Sequence, residues 1–348
     1  MRNKHKEIYG IDFGGTNLRI GKVNPETGSL LGKIMSFPVK NFSSNNDLNS
    51  AILQAIEENA RVGISAAGDV DEDRLVIKFS PNSRIKGKIN FGAVLKENGR
   101  DVVMTNDMKA AVQAVARFEE AVRKGKSLYN VAVATYSSGF NAAVARKGIN
   151  ATQAELGHIK YKPDSELFCG CGQRGHLEIF VSGNGAASMA KQYFLMTHEI
   201  NHPIIISALG DYNEKARKNK KETYKLEQLC EEDAYNRIIL EISAAHVYRA
   251  YKENPNQNPQ KDIRKTQTSA ISHSFGVINS AFNPIDVLVC MGGLTEQEEL
   301  FNNAINDYMS GESGSQLPSL NIPRVCITSL PAIGVQGAAA YYLSRREN

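Results

Sequence analysis

Hydrophobic runs broken by small-residue turns occur in two similar stretches of the chain. The stretch KEIYGIDFGGTNLRIGKV has an apolar run that stops at GGT and resumes after a short gap, which predicts two strands joined by a tight glycine turn. The stretch SLYNVAVATYSSGFNAAVARKG repeats this pattern, with Ser137, Ser138 and Gly139 at the turn. Since strands and helices accompany both hairpins, we predict a duplicated α/β plan in which both tips face one cleft.

Helices and further strands are predicted between the hairpins. NDLNSAILQAIEEN has apolar residues at helical spacing and Asn45 or Asp47 as its cap. RVGISAAGDV predicts a strand, and residues 78–99 have no clear period and are expected to be irregular. DVVMTNDMKAAVQAVARFEEAV predicts a short strand that runs through TND into an alanine-rich helix.

The second half of the chain is predicted to be mainly helical before it returns to α/β character. Helical patterns fill residues 186–282, with an exposed loop predicted at the polar stretch KENPNQNPQKD. IDVLVCMGGLTEQEELF then predicts a strand, a glycine turn and the start of a helix. LPAIGVQGAAAYYLSRR predicts a turn into a closing helix.

Composition excludes several classes of protein. With 348 residues, 42% of them hydrophobic and 22% charged, neither disorder nor a fibrous repeat is indicated. The net charge of +4 gives no case for nucleic acid, and the basic run at 213–225 is expected to be a solvated helix or loop. No apolar segment approaches the roughly 20 residues that span a bilayer, and no signal-peptide core precedes the first strand. We therefore expect a cytoplasmic protein without a membrane partner.

The cysteines fall into two groups. Cys230, Cys290 and Cys326 lie among apolar neighbours, which predicts reduced buried thiols rather than a disulfide framework. Cys169 and Cys171 instead lie between His158 and His176, in a stretch rich in glycine. Two thiolates and two imidazoles are ligands suited to tetrahedral Zn²⁺, and because the protein supplies all four, such a site would be structural. The alternative is a pair of reduced thiols beside unrelated histidines.

Three short motifs have both a chemical and a purely structural interpretation. In DFGGTNLR, a carboxylate and a glycine turn could hold nucleotide phosphates and their Mg²⁺, or the stretch could be an ordinary hairpin. The pattern G-x-G-x-x-G is absent, which excludes a dinucleotide-binding fingerprint. In MGGLTEQEELF, a helix start could hold a ribose or phosphate, or be a simple strand-to-helix turn. In TNDMKAA, Asp107 could cap a helix or accept a proton from a substrate hydroxyl.

The order of these motifs resembles that of the ROK family of sugar kinases and related regulators. DFGGTNLRIG is similar to the family's first phosphate loop. The stretch ending in SPN is similar to the family segment that reaches the sugar, and TNDMKAA is similar to its catalytic motif. AELGH is similar to its Glu-x-Gly-His sugar motif, and CGCGQRGHLE is similar to its zinc motif. The resemblance implies a duplicated actin-like, ribonuclease H-like ATPase fold of two domains around a cleft. The expected division is residues 1–105 with 335–348 and residues 106–334. The least similar part is residues 205–265.

The resemblance also implies a role for each matching residue. Asp107 would be the general base that takes a proton from the sugar. Residues that would hydrogen-bond the sugar are Asn82, Asn106, Glu155, His158 and Glu178. Residues that would face ATP and its Mg²⁺ are Asp12, Gly14, Gly15, Thr16, Ser138, Gly139, Gly292 and Gly293. His158, Cys169, Cys171 and His176 would bind a structural Zn²⁺, with His158 serving both metal and sugar.

Two departures from the family pattern affect these expectations. His176 replaces the last cysteine of the zinc motif, and since histidine is an accepted Zn²⁺ ligand, we expect the site to persist. The second phosphate loop has Asn141, Ala142 and Ala143 where the family has glycines, and these side chains could crowd the nucleotide. The phosphate donor therefore stays open, and so do the sugar and its reacting hydroxyl.

The expected activity is transfer of the γ-phosphoryl group of ATP to a hydroxyl of a hexose of the glucose, mannose or N-acetylhexosamine type. The alternative is a sugar-binding or regulatory protein that has lost ATP use. Only eleven residues precede Asp12, so a DNA-binding repressor with an N-terminal helix-turn-helix module is not expected. The resemblance implies a homo-oligomer.

Overall fold

Two mixed sheets organise the part of the chain that the computed structural model describes, which is residues 7–80, 85, 87–119, 122, 130–146, 150–311 and 320–346. In chain order the strands are β1 Ile8–Phe13, β2 Asn17–Val23, β3 Met35–Pro38, β4 Arg61–Ala66, β5 Asp69–Asp71, β6 Val76–Phe79, β7 Asp101–Asn106, β8 Val131–Tyr136, β9 Phe140–Arg146, β10 Asn150–Ala154, β11 Val287–Met291 and β12 Arg324–Ile327. The small pair β5-β6 lies outside both sheets.

The two sheets have the same topology. In the first, β3-β2-β1-β4-β7, the hairpin β1-β2 is antiparallel and is extended by antiparallel β3 on one side and parallel β4 and β7 on the other. The second, β10-β9-β8-β11-β12, repeats this arrangement around the hairpin β8-β9. The duplicated α/β plan predicted from the two hairpins is therefore confirmed.

Helices cover the sheets and form a separate helical region. Their bounds are α1 Asn45–Ala55, α2 Phe91–Glu97, α3 Asp107–Phe118, α4 Leu177–Val181, α5 Gly183–Thr197, α6 Pro203–Lys218, α7 Glu232–Glu241, α8 Ala244–Glu253, α9 Gln260–Phe282, α10 Glu298–Ser310 and α11 Ile333–Arg346. Helices α5 to α8 pack around Phe194, Ile204, Tyr235 and Ile238. The predicted helical content of residues 186–282 is confirmed, and the polar interruption is exposed at residues 252–258.

Several local expectations need correction. Ser44, and neither Asn45 nor Asp47, caps α1, because its hydroxyl accepts the Asp47 amide at 3.2 Å. The segment 78–99, expected to be irregular, contains α2, whose Phe91 and Leu95 are one turn apart and buried.

Cysteine burial differs from expectation at one position. Cys290 is buried and Cys326 half-buried, as predicted, whereas Cys230 is exposed just before α7, and all five thiols are free. The basic run at 213–225 lies at the end of α6 and in the loop after it, where most of its side chains are exposed as expected. Within the described ranges, no helix is both long enough and apolar enough to cross a membrane.

The closing helix α11 packs against β1, β4 and α3 at distances that require glycine. A Cβ added to Gly10 would lie 2.0 Å from the Val335 carbonyl oxygen, and one added to Gly63 would lie 1.9 Å from that of Ala338. At the crossing with α3, a Cβ on Gly337 would lie 2.6 Å from the Ala110 carbonyl oxygen. These contacts place the N-terminal ends of α3 and α11 beside the C-terminal end of β1.

Substituting Gly63 tests this packing. Gly63→Ala should lower the free energy of unfolding by about 1–3 kcal/mol, because the new methyl group overlaps main-chain atoms that cannot move independently. Gly210→Ala is the matched control: Gly210 is exposed in α6 with no atom within 4 Å of an added Cβ, so alanine should be neutral or stabilise by about 0.5–1 kcal/mol. Urea denaturation of both variants measures the difference, and equal stability would contradict the close contact.

Candidate active site

The first loop brings Asp12 to the N-terminal end of α11. Asp12 is the half-buried penultimate residue of β1, and the Gly14 amide closes the turn by donating to the Asn17 carbonyl at 3.0 Å. A Cβ on Gly334 would lie 2.4 Å from the Asp12 carboxyl carbon, so only glycine allows this approach. Burial raises the pKa of Asp12 to about 6, although Arg19, whose Nη1 lies 3.5 Å from Asp12 Oδ2, opposes the shift.

The start of α3 presents Asp107 to the same place. Asn106 is the helix cap, because its Oδ1 accepts the Met108 amide at 2.9 Å while its Nδ2 donates to the Gly68 carbonyl at 3.2 Å. Asp107 is the first residue of the helix and shares the Met108 amide. Burial raises the pKa of Asp107 to about 6, and repulsion from Asp12 and Glu155 adds to the shift. A carboxylate with this pKa can accept a proton near neutral pH.

Glu178 of α4 contacts the main chain of the second loop. The Phe140 amide donates to Glu178 Oε2 at 3.1 Å, and a Cβ on Gly139 would lie 2.7 Å from the same oxygen. The Ser137 amide donates to the Gly139 carbonyl at 3.0 Å, and Ser138 is exposed at the tip. Glycine at 139 therefore lets a carboxylate approach the turn.

The non-glycine residues after this turn do not crowd its tip. Ala142 is fully buried in the core with Phe140, and Ala143 is fully buried on the opposite face of the sheet beside Met108. Neither they nor Asn141 adopts a positive φ, since all three continue the extended strand β9. Alternation in the strand thus directs both methyl groups into the two cores. The half-buried Asn141 instead donates from Nδ2 to Glu155 Oε1 at 3.1 Å.

A cluster of two cysteines and two histidines begins in the motif that contains Glu155. The ligand atoms of His158, Cys169, Cys171 and His176 all lie within 4.8 Å of one another. Nδ1 of His158 is 3.6 Å from Cys169 Sγ, and Nδ1 of His176 is 3.2 Å from Cys171 Sγ. The predicted gathering of these four side chains is therefore confirmed.

The main chain around the cluster turns between Cys169 and Gly172, where the Gly172 amide donates to the Cys169 carbonyl at 2.8 Å, and Gly172 and Gly175 have φ of 86° and 67°. At Gly175 the turn is forced, since an added Cβ would lie 2.0 Å from the Lys162 carbonyl oxygen. The Cys169 amide donates to the Gln173 carbonyl at 2.8 Å, which closes the loop. The ligands are thus positioned by main-chain contacts.

The donor set fits a tetrahedral zinc ion. Zn–S and Zn–N bond lengths of about 2.0–2.3 Å require ligand atoms about 3.3–3.8 Å apart, which is close to the separations within each Cys–His pair. Burial raises the pKa of the Cys169 thiol to about 12, and Glu178 beside it adds to the effect, so this thiol would not ionise without a cation. Cys169 donates to Glu178 Oε1 at 3.4 Å, which links the cluster to the second loop.

A cavity of about 640 Å³ opens beside the second loop, and its size suits a nucleoside. Ser137, Ser138 and Gly293 line one side. Gly292 lies behind them with φ of 102°, and a Cβ there would lie 2.5 Å from the Tyr136 carbonyl oxygen. The rest of the lining belongs to the N-terminal ends of α5 and α8 and to three further side chains of α8, and includes Gly183, Asn184, Ser243, Ala244, Ala245, Tyr248, Arg249 and Lys252.

Comparison with known proteins identifies the family. The sequence model of the ROK family matches residues 8–344, nearly the whole chain. The chain belongs to the ROK family. This ROK chain is 33% identical over 214 residues to a glucokinase of Streptomyces coelicolor, a match that covers 58% of the chain and 64% of that relative. It is 22% identical over 240 residues to an N-acetyl-D-glucosamine kinase of Vibrio vulnificus, covering 64% and 77%.

A solved structure shares the fold of this ROK chain. The crystal structure of a ROK family glucokinase from Streptomyces griseus, in complex with glucose and AMPPNP, superposes with a TM-score of 0.67 and 22% identity. The superposition covers 96% of this chain and 98% of that one. The predicted fold class is thereby confirmed.

Sequence reasoning left some site residues out. Asn82 lies outside the described residues. The other predicted residues lie in the two loops, at the start of α3, in the metal cluster, after β10 (Glu155), in α4 (Glu178) and at the turn after β11 (Gly292 and Gly293). Missed were Arg19, which pairs with Asp12, and Asn141, which bonds Glu155. Also missed were the α8 side chains that line the cavity, because they belong to the region of least resemblance. The available sequence signal for Asn141 was that a side chain with a hydrogen-bond donor replaces a glycine of the family pattern.

Proposed function

We propose that this protein is an ATP-dependent sugar kinase that phosphorylates a hydroxyl of a hexose of the glucose, mannose or N-acetylhexosamine type. The observation that carries the proposal is the position of Asp107, close enough to Asp12 of the first loop and to Glu155 of the sugar motif for both to raise its pKa. A base between a phosphate-binding loop and an acceptor site is what phosphoryl transfer to a hydroxyl requires. The names of the relatives, glucokinase and N-acetyl-D-glucosamine kinase, support the same activity.

In this proposal the protein mainly positions the reactants. Asp107 accepts the proton of the attacking hydroxyl, and the main-chain amides of both glycine turns hold the phosphates. The nucleotide side comprises Asp12, Gly14, Gly15, Thr16, Ser138, Gly139, Gly292 and Gly293. The sugar side comprises Asn82, Asn106, Glu155, His158 and Glu178. The cavity beside the second loop is the proposed adenosine site.

Mg²⁺ bound with ATP would neutralise charge on the phosphates during transfer. Asp12 is the residue that would hold this ion, through water, because its carboxylate lies at the end of β1 beside the first loop. The raised pKa of Asp12 means that the protein alone does not supply enough positive charge to stabilise the ionised carboxylate. Arg19 supplies only part of the missing positive charge, since its guanidinium is half exposed.

We further propose that the four-ligand cluster holds a structural Zn²⁺. His158 would then offer its second ring nitrogen to the sugar. Without a metal, Glu178 Oε1 accepts a hydrogen bond from the Cys169 thiol. A metal-bound thiolate has no proton to donate, so this oxygen would become available to a sugar hydroxyl. The cluster would thus order three sugar contacts, Glu155, His158 and Glu178.

The proposed domains are residues 1–105 with 335–348 and residues 106–334, with the cleft between them. A homo-oligomer in the cytoplasm, where ATP is supplied, is part of the same proposal. The alternative, a sugar-binding protein without ATP use, rested on the altered second loop. Because Ala142 and Ala143 are buried in the sheet and away from the turn, we favour the kinase.

A coupled assay with ATP, Mg²⁺ and a panel of hexoses tests the proposed function. We expect ADP formation that depends on one or a few of the sugars. Measurable sugar binding by calorimetry, together with no turnover on any hexose, would instead favour the sugar-binding alternative.

The pH dependence of the reaction should report the base. Because burial raises the pKa of Asp107 to about 6 and a base acts only when ionised, kcat/KM for the sugar at saturating Mg-ATP should fall as pH decreases through about 6. Rates between pH 5 and 8 measure this limb, and circular dichroism at each pH controls for unfolding. A flat profile down to pH 5 in folded protein would contradict the assigned pKa.

A further inference from the structure

Asn141 and Glu155 are neighbours across two antiparallel strands. The register of β9 and β10 pairs Asn150 with Arg146 and Ala154 with Ala142, so the next pair in this register is Glu155 with Asn141. Asn141 lies on the same face of β9 as Ala143, which packs in the core beside Met108 at the start of α3. The asparagine side chain therefore extends towards the end of α3 that carries Asp107.

Both ends of the Asn141 amide are engaged. Nδ2 donates to Glu155 Oε1 at 3.1 Å, and Oδ1 accepts the Ala142 amide at 2.7 Å. The second bond fixes the amide so that its NH₂ group points at the carboxylate. Glu155 itself is exposed and follows directly after β10, so without this bond its long side chain would keep most of its rotamer freedom.

We propose that Asn141 is a positioning residue for the sugar: it holds one oxygen of Glu155 so that the other, Oε2, is presented to a single sugar hydroxyl. This inference rests on the proposed function, since it takes Glu155 as a sugar contact. A glycine at position 141 has no side chain that could make the hydrogen bond to Glu155. In this proposal, the replacement of the family's glycine by Asn141 therefore affects the sugar side of the cleft and not the nucleotide side.

The charges around Glu155 give its hydrogen bond with Asn141 a larger effect. Glu155 and Asp12 both act on Asp107 electrostatically, so the Glu155 carboxylate lies near the base and its charge contributes to the site. Arg19 lies beside Asp12. A neutral donor at 141 restrains Glu155 without cancelling its charge, and a hydrogen bond from such a donor to a carboxylate is stronger than one between neutral groups.

Sugar and ATP kinetics of Asn141→Ala and Asn141→Asp test the proposal. For Asn141→Ala we expect KM for the sugar to rise about tenfold, with kcat and KM for ATP within about threefold. Asn141→Asp keeps the shape of the side chain but replaces the donor with a carboxylate, so its effect on sugar KM should be larger. Asn213→Ala is the matched control, because it removes two asparagine hydrogen bonds in α6, to Tyr224, and should lower the melting temperature without changing sugar KM.

A double-mutant cycle with Glu155→Ala separates positioning from general destabilisation. If Asn141 acts through Glu155, then Asn141→Ala should have no further effect on sugar affinity, measured by calorimetry, once Glu155 is alanine. Additive effects of the two substitutions, or a rise in KM for ATP in place of KM for the sugar, would overturn the inference while leaving the kinase proposal intact. Absence of hexose binding and turnover in the unmodified protein would overturn both.

Discussion

Replacing Asp107 with asparagine should lower kcat by about 10²–10⁴-fold and leave sugar affinity within a few fold, because the amide keeps a hydrogen-bond acceptor but cannot take a proton. The fold should tolerate this change, since Asn106 caps α3 and retains the Met108 amide. Turnover by the coupled assay and sugar affinity by calorimetry measure the two effects. Asp47→Asn is the matched control, because Asp47 is an exposed aspartate in the first turn of α1 that accepts the Ser43 hydroxyl, and it should leave turnover unchanged.

The same variant has a second signature in its stability. The pKa of Asp107 is raised to about 6 in the folded protein from 3.8, so its contribution to stability is complete below about pH 4 and is lost as pH rises through about 6. The amide side chain of the Asp107→Asn variant stays neutral at every pH, and the variant should therefore melt at a higher temperature than the unmodified protein at pH 7.5 but not at pH 4. Unchanged turnover would remove the base assignment, and an unchanged difference in melting temperature between the two pH values would remove the assigned pKa.

Removing one ligand of the cysteine–histidine cluster should have the second largest effect. In Cys169→Ser we expect zinc to fall well below one ion per chain and sugar KM to rise by about 10–100-fold, because His158 and Glu178 would lose the proposed metal that orders the stretch between them. Cys169 is buried, so the variant should also melt at a lower temperature. Elemental analysis, sugar kinetics and thermal melting measure the three effects.

The exposed thiol Cys230 supplies the control for this experiment. Cys230 lies outside the cluster, where its thiol donates to the Glu227 carbonyl at 3.0 Å, so Cys230→Ser should keep both zinc and activity. Chelation of zinc from the unmodified protein should reproduce the rise in sugar KM. Purified protein with well under one zinc per chain and full activity would refute the structural role of the metal.

Patterns over short stretches predicted most of the elements and the candidate chemistry. The two hairpins follow from apolar runs broken by small residues, and the cluster follows from the spacing between His158 and His176, because these features involve residues within about twenty positions. Where two polar residues competed for one role, the local pattern was not decisive. Ser44 caps α1 and Asn106 caps α3, since cap geometry depends on how the preceding strand or loop enters the helix.

The sequence by itself determined that this is a duplicated α/β protein with a base candidate at Asp107 and four candidate metal ligands. Tertiary structure alone decided which distant groups meet. Gly334 touches Asp12 because α11 lies between the first sheet and α3, and side chains of α8 line the cavity because the helical region packs beside the second loop. It also decided that Ala142 and Ala143 are core residues and that Asn141 contacts Glu155. Burial and register are properties of packed strands, and composition at these positions does not encode them.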